Sequence, residues 1–123
     1  MTGNSGGPHY SPFARGGGLI FVSGQLPLRP GRDTSLAAAS FREQAEQTLQ
    51  NLKAVLDQAG AGLDQVVKTT VYLSDIADWD DLDTVYGAFF GAARPARSVV
   101  PTGPLHFGFR IEIEAIARAS ADG

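Results

Sequence analysis

Phe41, Ala45, Leu49, Leu52, Leu56 and Ala59 recur at spacings of three and four, the period that makes one face of an α-helix apolar. Ser40 and Glu43 stand at the start of this run in capping-box order, where hydroxyl and carboxylate each satisfy an amide left unpaired at a helix start. Gly60 is a natural end for the helix. Arg42, Glu46, Gln50, Lys53 and Asp57 fall on its other face and read as solvated surface. A second helical pattern lies between Asp75 and Phe90, with Trp79, Leu82, Val85, Tyr86, Phe89 and Phe90 as its apolar positions. Asp75, Asp78, Asp80 and Asp81 sit near its start, where the positive end of the helix dipole favours carboxylates. That is a sufficient reason for the acidic cluster, and no metal is assigned to it.

The remaining apolar runs read as strands. Leu19-Ile20-Phe21-Val22-Ser23 is apolar at nearly every position, which predicts a strand covered on both faces. A turn at Gly16-Gly17-Gly18 precedes it, and Gly24 and Pro27 close it. Leu28 to Thr34 reads as a loop. Val66 to Leu73 is rich in β-branched residues and predicts a second strand, with Lys68 and Tyr72 on one face. Two final strands are predicted over 96–102 and 107–117. The order strand, helix, strand, helix, strand, strand defines an α+β layout with two helices on one face of a single mixed sheet. If Ile20, Val22, Ile111, Ile113 and Ala115 meet the helices, then Leu19, Phe21, Val99 and Ile116 lie on the opposite face. An uncovered apolar sheet face is usually a protein interface, so a homo-oligomer is expected.

At 123 residues the chain is most simply a single domain over 10–119, preceded by a Gly-rich flexible lead, 1–9, and followed by a short tail, 120–123. A formal net charge of -3 and the lack of a basic run argue against a nucleic-acid partner. Without cysteine, thiolate metal sites, disulfides and cysteine nucleophiles are excluded, and a reducing cytoplasmic setting is expected. No signal peptide pattern is present, and no apolar run approaches the roughly 20 residues that cross a bilayer.

The chemistry-bearing residues are few. His9 and His106 lack metal-ligand spacing. GxGxxG, Walker, GxSxG and HExxH motifs are absent, so dinucleotide and P-loop binding and the familiar hydrolase elbows find no support. Ser23 has no evident histidine base and reads as a serine bonded to backbone. Arg97 and Glu112, by contrast, are charges on apolar, strand-like segments. Either they pair across adjacent strands, or they share a ligand near the expected interface. With Ser23 and Tyr10 they suit a small anionic substrate: arginine offers a planar fork for a carboxylate, and glutamate orients or deprotonates water where its pKa is raised.

Leu19-Ile20-Phe21-Val22-Ser23-Gly24-Gln25-Leu26-Pro27-Leu28, Val66 to Leu73, Pro95-Ala96-Arg97-Ser98 and Ile111-Glu112-Ile113-Glu114-Ala115-Ile116-Ala117 resemble the Rid family of reactive-intermediate deaminases, also called the YjgF/YER057c/UK114 family. The likeness runs from about Tyr10 to Ala117. It implies a chorismate-mutase-like protomer in a homotrimer, with a ligand cleft at each subunit interface and no cofactor or metal. It implies hydrolysis of 2-imino or 2-enamino acids to 2-keto acids and ammonia. Arg97 would bind the substrate carboxylate, Glu112 would position the attacking water, and Tyr10 and Ser23 would complete the site. Gly24, Ile116 and the backbone amide of Val99 would also contact substrate.

Three positions depart from the family pattern. Val99 replaces a frequent cysteine, a tolerable change for a backbone contact. Asp83 replaces an asparagine common in the deaminases and brings a negative charge toward an anionic substrate. The segment Pro104-Leu105-His106-Phe107-Gly108-Phe109 is bulkier and more aromatic than usual, so His106 and Phe107 either reshape the pocket or pack the trimer. Two other readings therefore stand beside the deaminase: a related enzyme acting on a different amino- or keto-acid-like substrate, and a module that binds a small carboxylate without turnover.

Overall fold

The computed structural model describes residues 9–120, so most of the expected lead and tail lies outside the described residues. Five strands form one sheet in the order β1-β2-β5-β3-β4: β1 Phe13–Gly16, β2 Leu19–Gln25, β3 Val66–Leu73, β4 Ala96–Pro101 and β5 Ile111–Arg118. Every pairing is antiparallel except β3 with β4, whose parallel register requires the crossover supplied by a helix. The helices, α1 Phe41–Ala59 and α2 Trp79–Phe90, lie on the same face of the sheet.

The predicted helix α1 forms with the expected stripe fully buried. Ser40 Oγ accepts the Glu43 amide at 3.2 Å, while the Glu43 carboxylate takes the Ser40 hydroxyl, so only one arm of the capping box closes on backbone. Gly60 ends the helix in the left-handed region at φ 80°, and the Ala61 amide reaches back to the Leu56 carbonyl. Helix α2 starts at Trp79, the first of the expected apolar positions, and the acidic residues before it form a 3-10 turn at Ile76–Asp78 capped by Asp75. The acidic residues there are largely occupied: Asp78 takes Arg110 at 2.6 Å and Asp81 takes Arg42 at 3.1 Å. Among the described residues no group of carboxylates and histidines is arranged to hold a metal.

Strand β1 was hidden in sequence. Its four residues, Phe-Ala-Arg-Gly, are mostly exposed and carry no periodic signal. They are recruited by the two-residue turn Gly17-Gly18, both with φ positive, which pairs Gly16 with Leu19 in a tight hairpin. The last strand begins at Ile111 rather than Phe107, because Phe107 (φ 63°) and Gly108 (φ 75°) turn the chain and bury Phe109 in the core. No helix among the described residues is long and apolar enough to cross a membrane.

Side-chain parity separates the two faces. Ile20, Val22, Val71, Ile111, Ile113 and Ala115 point to the helices and are buried. Leu19, Phe21 and Ile116 emerge on the other face as expected, and Phe21 is 44% exposed. Nothing within one chain covers β2 on that side among the described residues. Val99 does not join this face. Its register partner is buried Val71, so its side chain packs against the core.

Candidate functional site

The register also decides between the two accounts of Arg97 and Glu112. Strand β3 lies between β4 and β5, so the two residues are not on adjacent strands and cannot form a cross-strand pair. Arg97 pairs with Thr69, which faces the helices and is fully buried; Glu112 pairs with Tyr72 on the open face. Within one chain they project from opposite sides of the sheet.

Arg97 sits on edge strand β4 against α2. Its Nη1 donates to Asp83 Oδ1 at 2.7 Å, and its guanidinium lies 4.9 Å from the ring centre of Tyr86 and 5.8 Å from that of Trp79. Trp79, Asp83 and Tyr86 follow one another by a helical turn, so one stripe of α2 presents two aromatic faces and a carboxylate to the same cation. Tyr86 is itself fixed by a 2.7 Å hydrogen bond with the buried Thr69 hydroxyl and by packing on Phe90 at 4.6 Å. Burial pushes the Tyr86 phenol pKa up, partly offset by the Thr69 hydrogen bond and by Arg97. A cavity of about 360 Å³ opens beside Arg97, lined also by Asp83, Tyr86, Arg94 and Pro95. Sequence reasoning missed Trp79 and Tyr86 as neighbours of Arg97; their spacing with Asp83 was the available signal.

Glu112 stands over the irregular end of β2. The β2–β5 register shifts between Val22 and Gln25, which leaves Ser23 and Gly24 out of regular pairing. A Cβ at Gly24 would overlap the Glu112 carboxylate, so glycine is what allows this close approach. Among the described residues the Glu112 carboxylate accepts no hydrogen bond. Burial raises its pKa first, the Glu114 carboxylate adds to this, and His106 opposes it. Glu114 is engaged elsewhere, accepting the Tyr72 hydroxyl at 2.9 Å.

Tyr10, Gly24, Gln25, Arg32, Asn51 and His106 line a cleft of about 390 Å³; Glu112 is not part of its lining but abuts its wall at Gly24. The Ser23 hydroxyl donates to the Ser11 carbonyl at 2.7 Å and the Ser23 amide to the Pro12 carbonyl at 3.0 Å. Ser23 thus fastens the segment that carries Tyr10, which is the backbone-bonded serine its surroundings suggested. His106 stacks on Phe107 at 3.6 Å and 16°, leaving one imidazole face for the cleft. Phe107 in the left-handed region is an uncommon conformation for a bulky residue, held by its contacts with His106 and Phe109. Ile116 lies on the open face between Phe21 and Lys68. The described residues therefore fall into two groups: Tyr10, Ser23, Gly24, His106, Phe107 and Glu112 near the irregular end of β2, and Asp83 and Arg97 between α2 and β4.

A five-stranded mixed sheet backed by two helices, with an arginine seated against the second helix on the edge strand, defines a small α+β domain. The chain belongs to the endoribonuclease L-PSP family, the YjgF/RutC/Rid family, whose sequence model matches residues 6–119. It is 41% identical over 108 residues to a RutC family protein of Pyrococcus abyssi, covering 88% of this chain and 84% of that one. It is 39% identical over 112 residues to the 2-iminobutanoate/2-iminopropanoate deaminase of Salmonella typhimurium, covering 86% of each. Among solved structures it is similar to E. coli TdcF with bound serine, at a TM-score of 0.82 and 34% identity over 93% of this chain and 90% of that one.

Proposed function

We propose that this protein hydrolyses 2-imino and 2-enamino acids to 2-keto acids and ammonia in a site completed between copies of the chain. The observation that carries this reading is Glu112, a half-buried carboxylate without a hydrogen-bond partner among the described residues, held against Gly24 at the edge of the Tyr10–His106 cleft. A carboxylate with a raised pKa and free lone pairs suits the orientation and deprotonation of water. The likeness to a 2-iminobutanoate/2-iminopropanoate deaminase supports the substrate class, and the serine bound to TdcF supports a small amino-acid-like carboxylate as ligand.

Arg97 binds the substrate carboxylate by its guanidinium fork. Water attacks the carbon of the protonated imine, passing one proton to Glu112, and the carbinolamine forms. Glu112 returns that proton to nitrogen, the C–N bond breaks, and ammonia leaves as the hydroxyl proton passes to Glu112 and the carbonyl forms. The Val99 amide donates to the reacting nitrogen or to the product oxygen. Because the imine carbon is already electrophilic, positioning and electrostatics supply the acceleration without a covalent nucleophile. Arg97 and Glu112 face opposite ways in one chain, so the site takes Arg97 from one subunit and Glu112 from its neighbour. We assign the open face, with Leu19, Phe21 and Ile116, to the homotrimer contact. Nuclease activity, which the family description names, is not favoured at a net charge of -3.

The test is ammonia or keto-acid release from 2-iminopropanoate and 2-iminobutanoate generated in situ by an amino-acid oxidase or a dehydratase. Native protein accelerates release, and Arg97→Ala abolishes it while sedimentation still shows the trimer. Equal release with and without protein refutes the reaction, and loss of the trimer in Arg97→Ala makes the arginine structural.

A further inference from the structure

An arginine meant for a ligand carboxylate is already in contact with one. Asp83 Oδ1 takes a single N–H of Arg97 at 2.7 Å, and the Arg97 side chain is 24% exposed against 50% for Asp83. The contact is end-on rather than a fork, so the other donors of the guanidinium remain for a second acceptor. The groups that face Arg97 are Asp83, the two rings of Trp79 and Tyr86, and, around the same cavity, Arg94. Asp83 is the one carboxylate among them.

We propose that Asp83 is a specificity-determining residue: it holds Arg97 in its aromatic seat and at the same time competes with the ligand carboxylate for the guanidinium. This rests on the assignment of Arg97 as the carboxylate-binding residue. A ligand carboxylate on the open donors and the Asp83 carboxylate then share one cation, two like charges separated by little more than its width. At the edge of a protein, repulsion over such a distance amounts to about a tenfold change in affinity, and less where solvent screens it. The site consequently discriminates against ligands that offer only a carboxylate, and favours those that bring further contacts to the Tyr10–His106 cleft.

Asp83→Asn separates the two roles, because the amide oxygen still accepts from Arg97 while the charge is gone. The experiment measures kcat and KM on 2-iminopropanoate, and calorimetric binding of pyruvate, for the native protein, Asp83→Asn, Arg97→Ala and the double variant. Asp83→Asn is expected to lower KM and the pyruvate Kd by about three- to tenfold, with kcat moving far less than KM. In the Arg97→Ala background, where turnover is lost, the same substitution is expected to leave pyruvate binding unchanged. Asp83→Ala removes the hydrogen bond as well and gains less affinity than Asp83→Asn. Unchanged or weaker pyruvate binding by a normally folded Asp83→Asn protein overturns the proposal, as does an equal gain in the Arg97→Ala background. If no variant turns over the imine while pyruvate binding tightens as described, the deaminase reading fails and the role of Asp83 stands.

Discussion

Replacing Gly24 by alanine tests the position of Glu112 without touching its chemistry. The added Cβ would lie 3.0 Å from Glu112 Cδ and 3.3 Å from Cγ, and would overlap the carboxylate oxygen Oε2. Carbon atoms rest at about 3.5–4.0 Å, so the carboxylate must retreat by roughly 1 Å. Glu112 is half-buried on an open face, and its side chain can swing aside without moving β5. Gly24 does not hold a left-handed φ, so alanine fits the backbone there. The fold is therefore expected to survive with a change of about 1 kcal/mol or less. A displacement of this size at a water-positioning group costs about 100-fold in rate, equivalent to about 2.7 kcal/mol of barrier. The assay is kcat/KM for imine hydrolysis, with calorimetric Tm and sedimentation on the same preparation. A Gly24→Ala protein with native kcat/KM would refute the placement of Glu112 in the reaction, because its carboxylate cannot keep its observed position beside a methyl group.

Two further substitutions follow from the ionic groups. The Glu112 pKa is raised above its ordinary 4.5 in the folded protein, chiefly by burial, so the folded state holds a proton that the unfolded state releases first. Stability then falls as pH rises from 4.5 through the raised pKa, and Glu112→Gln removes that loss; unfolding free energies of native and variant compared from pH 4 to 8 should diverge toward neutral pH, and parallel profiles would contradict it. In the same variant, turnover should fall more than pyruvate binding. Asp78 is nearly buried and takes Arg110 by two hydrogen bonds, at 2.6 and 3.2 Å, while Arg110 also lies 5.5 Å over the Phe41 ring. Asp78→Ala should cost about 2–3 kcal/mol in urea unfolding, less than a fully buried pair because Arg110 is partly solvated, and a cost below 0.5 kcal/mol would show the pair to be idle.

How much of this was legible in the sequence depended on how local the cause was. Helix α1 could be read almost to the residue because its stripe, its Ser40 cap and its terminal Gly60 are all short-range signals. Strand β3 was equally plain from its β-branched run. Strand β1 was not, because four exposed residues become a strand only through the glycine turn that folds them onto β2. The beginning of β5 was misplaced for a related reason: Phe107 and Phe109 look like strand residues, and only the positive φ at Phe107 reveals the turn.

The site was half legible. Its residue types stood out as charges on apolar strands, and the family likeness supplied their grouping. Their geometry did not follow, because strand order is a long-range property. With β4 imagined beside β5, Arg97 and Glu112 looked like neighbours on one face. With β3 inserted between them, the parity of each register places them on opposite faces, and it moves Val99 into the helix layer. The seat of Arg97 on Trp79, Asp83 and Tyr86 arises from packing between α2 and β4, which no single stretch of sequence encodes.

The opposed projection of Arg97 and Glu112 has a genetic consequence. On the shared cleft proposed above, two damaged copies of the gene, one lacking the arginine and the other the glutamate, would encode products each inert in pure form, and mixed assemblies of the two would restore any cleft that draws its arginine from one product and its glutamate from the other. A cell carrying both alleles would thus regain part of the activity that neither confers alone, whereas two alleles damaged at the same position would remain silent together.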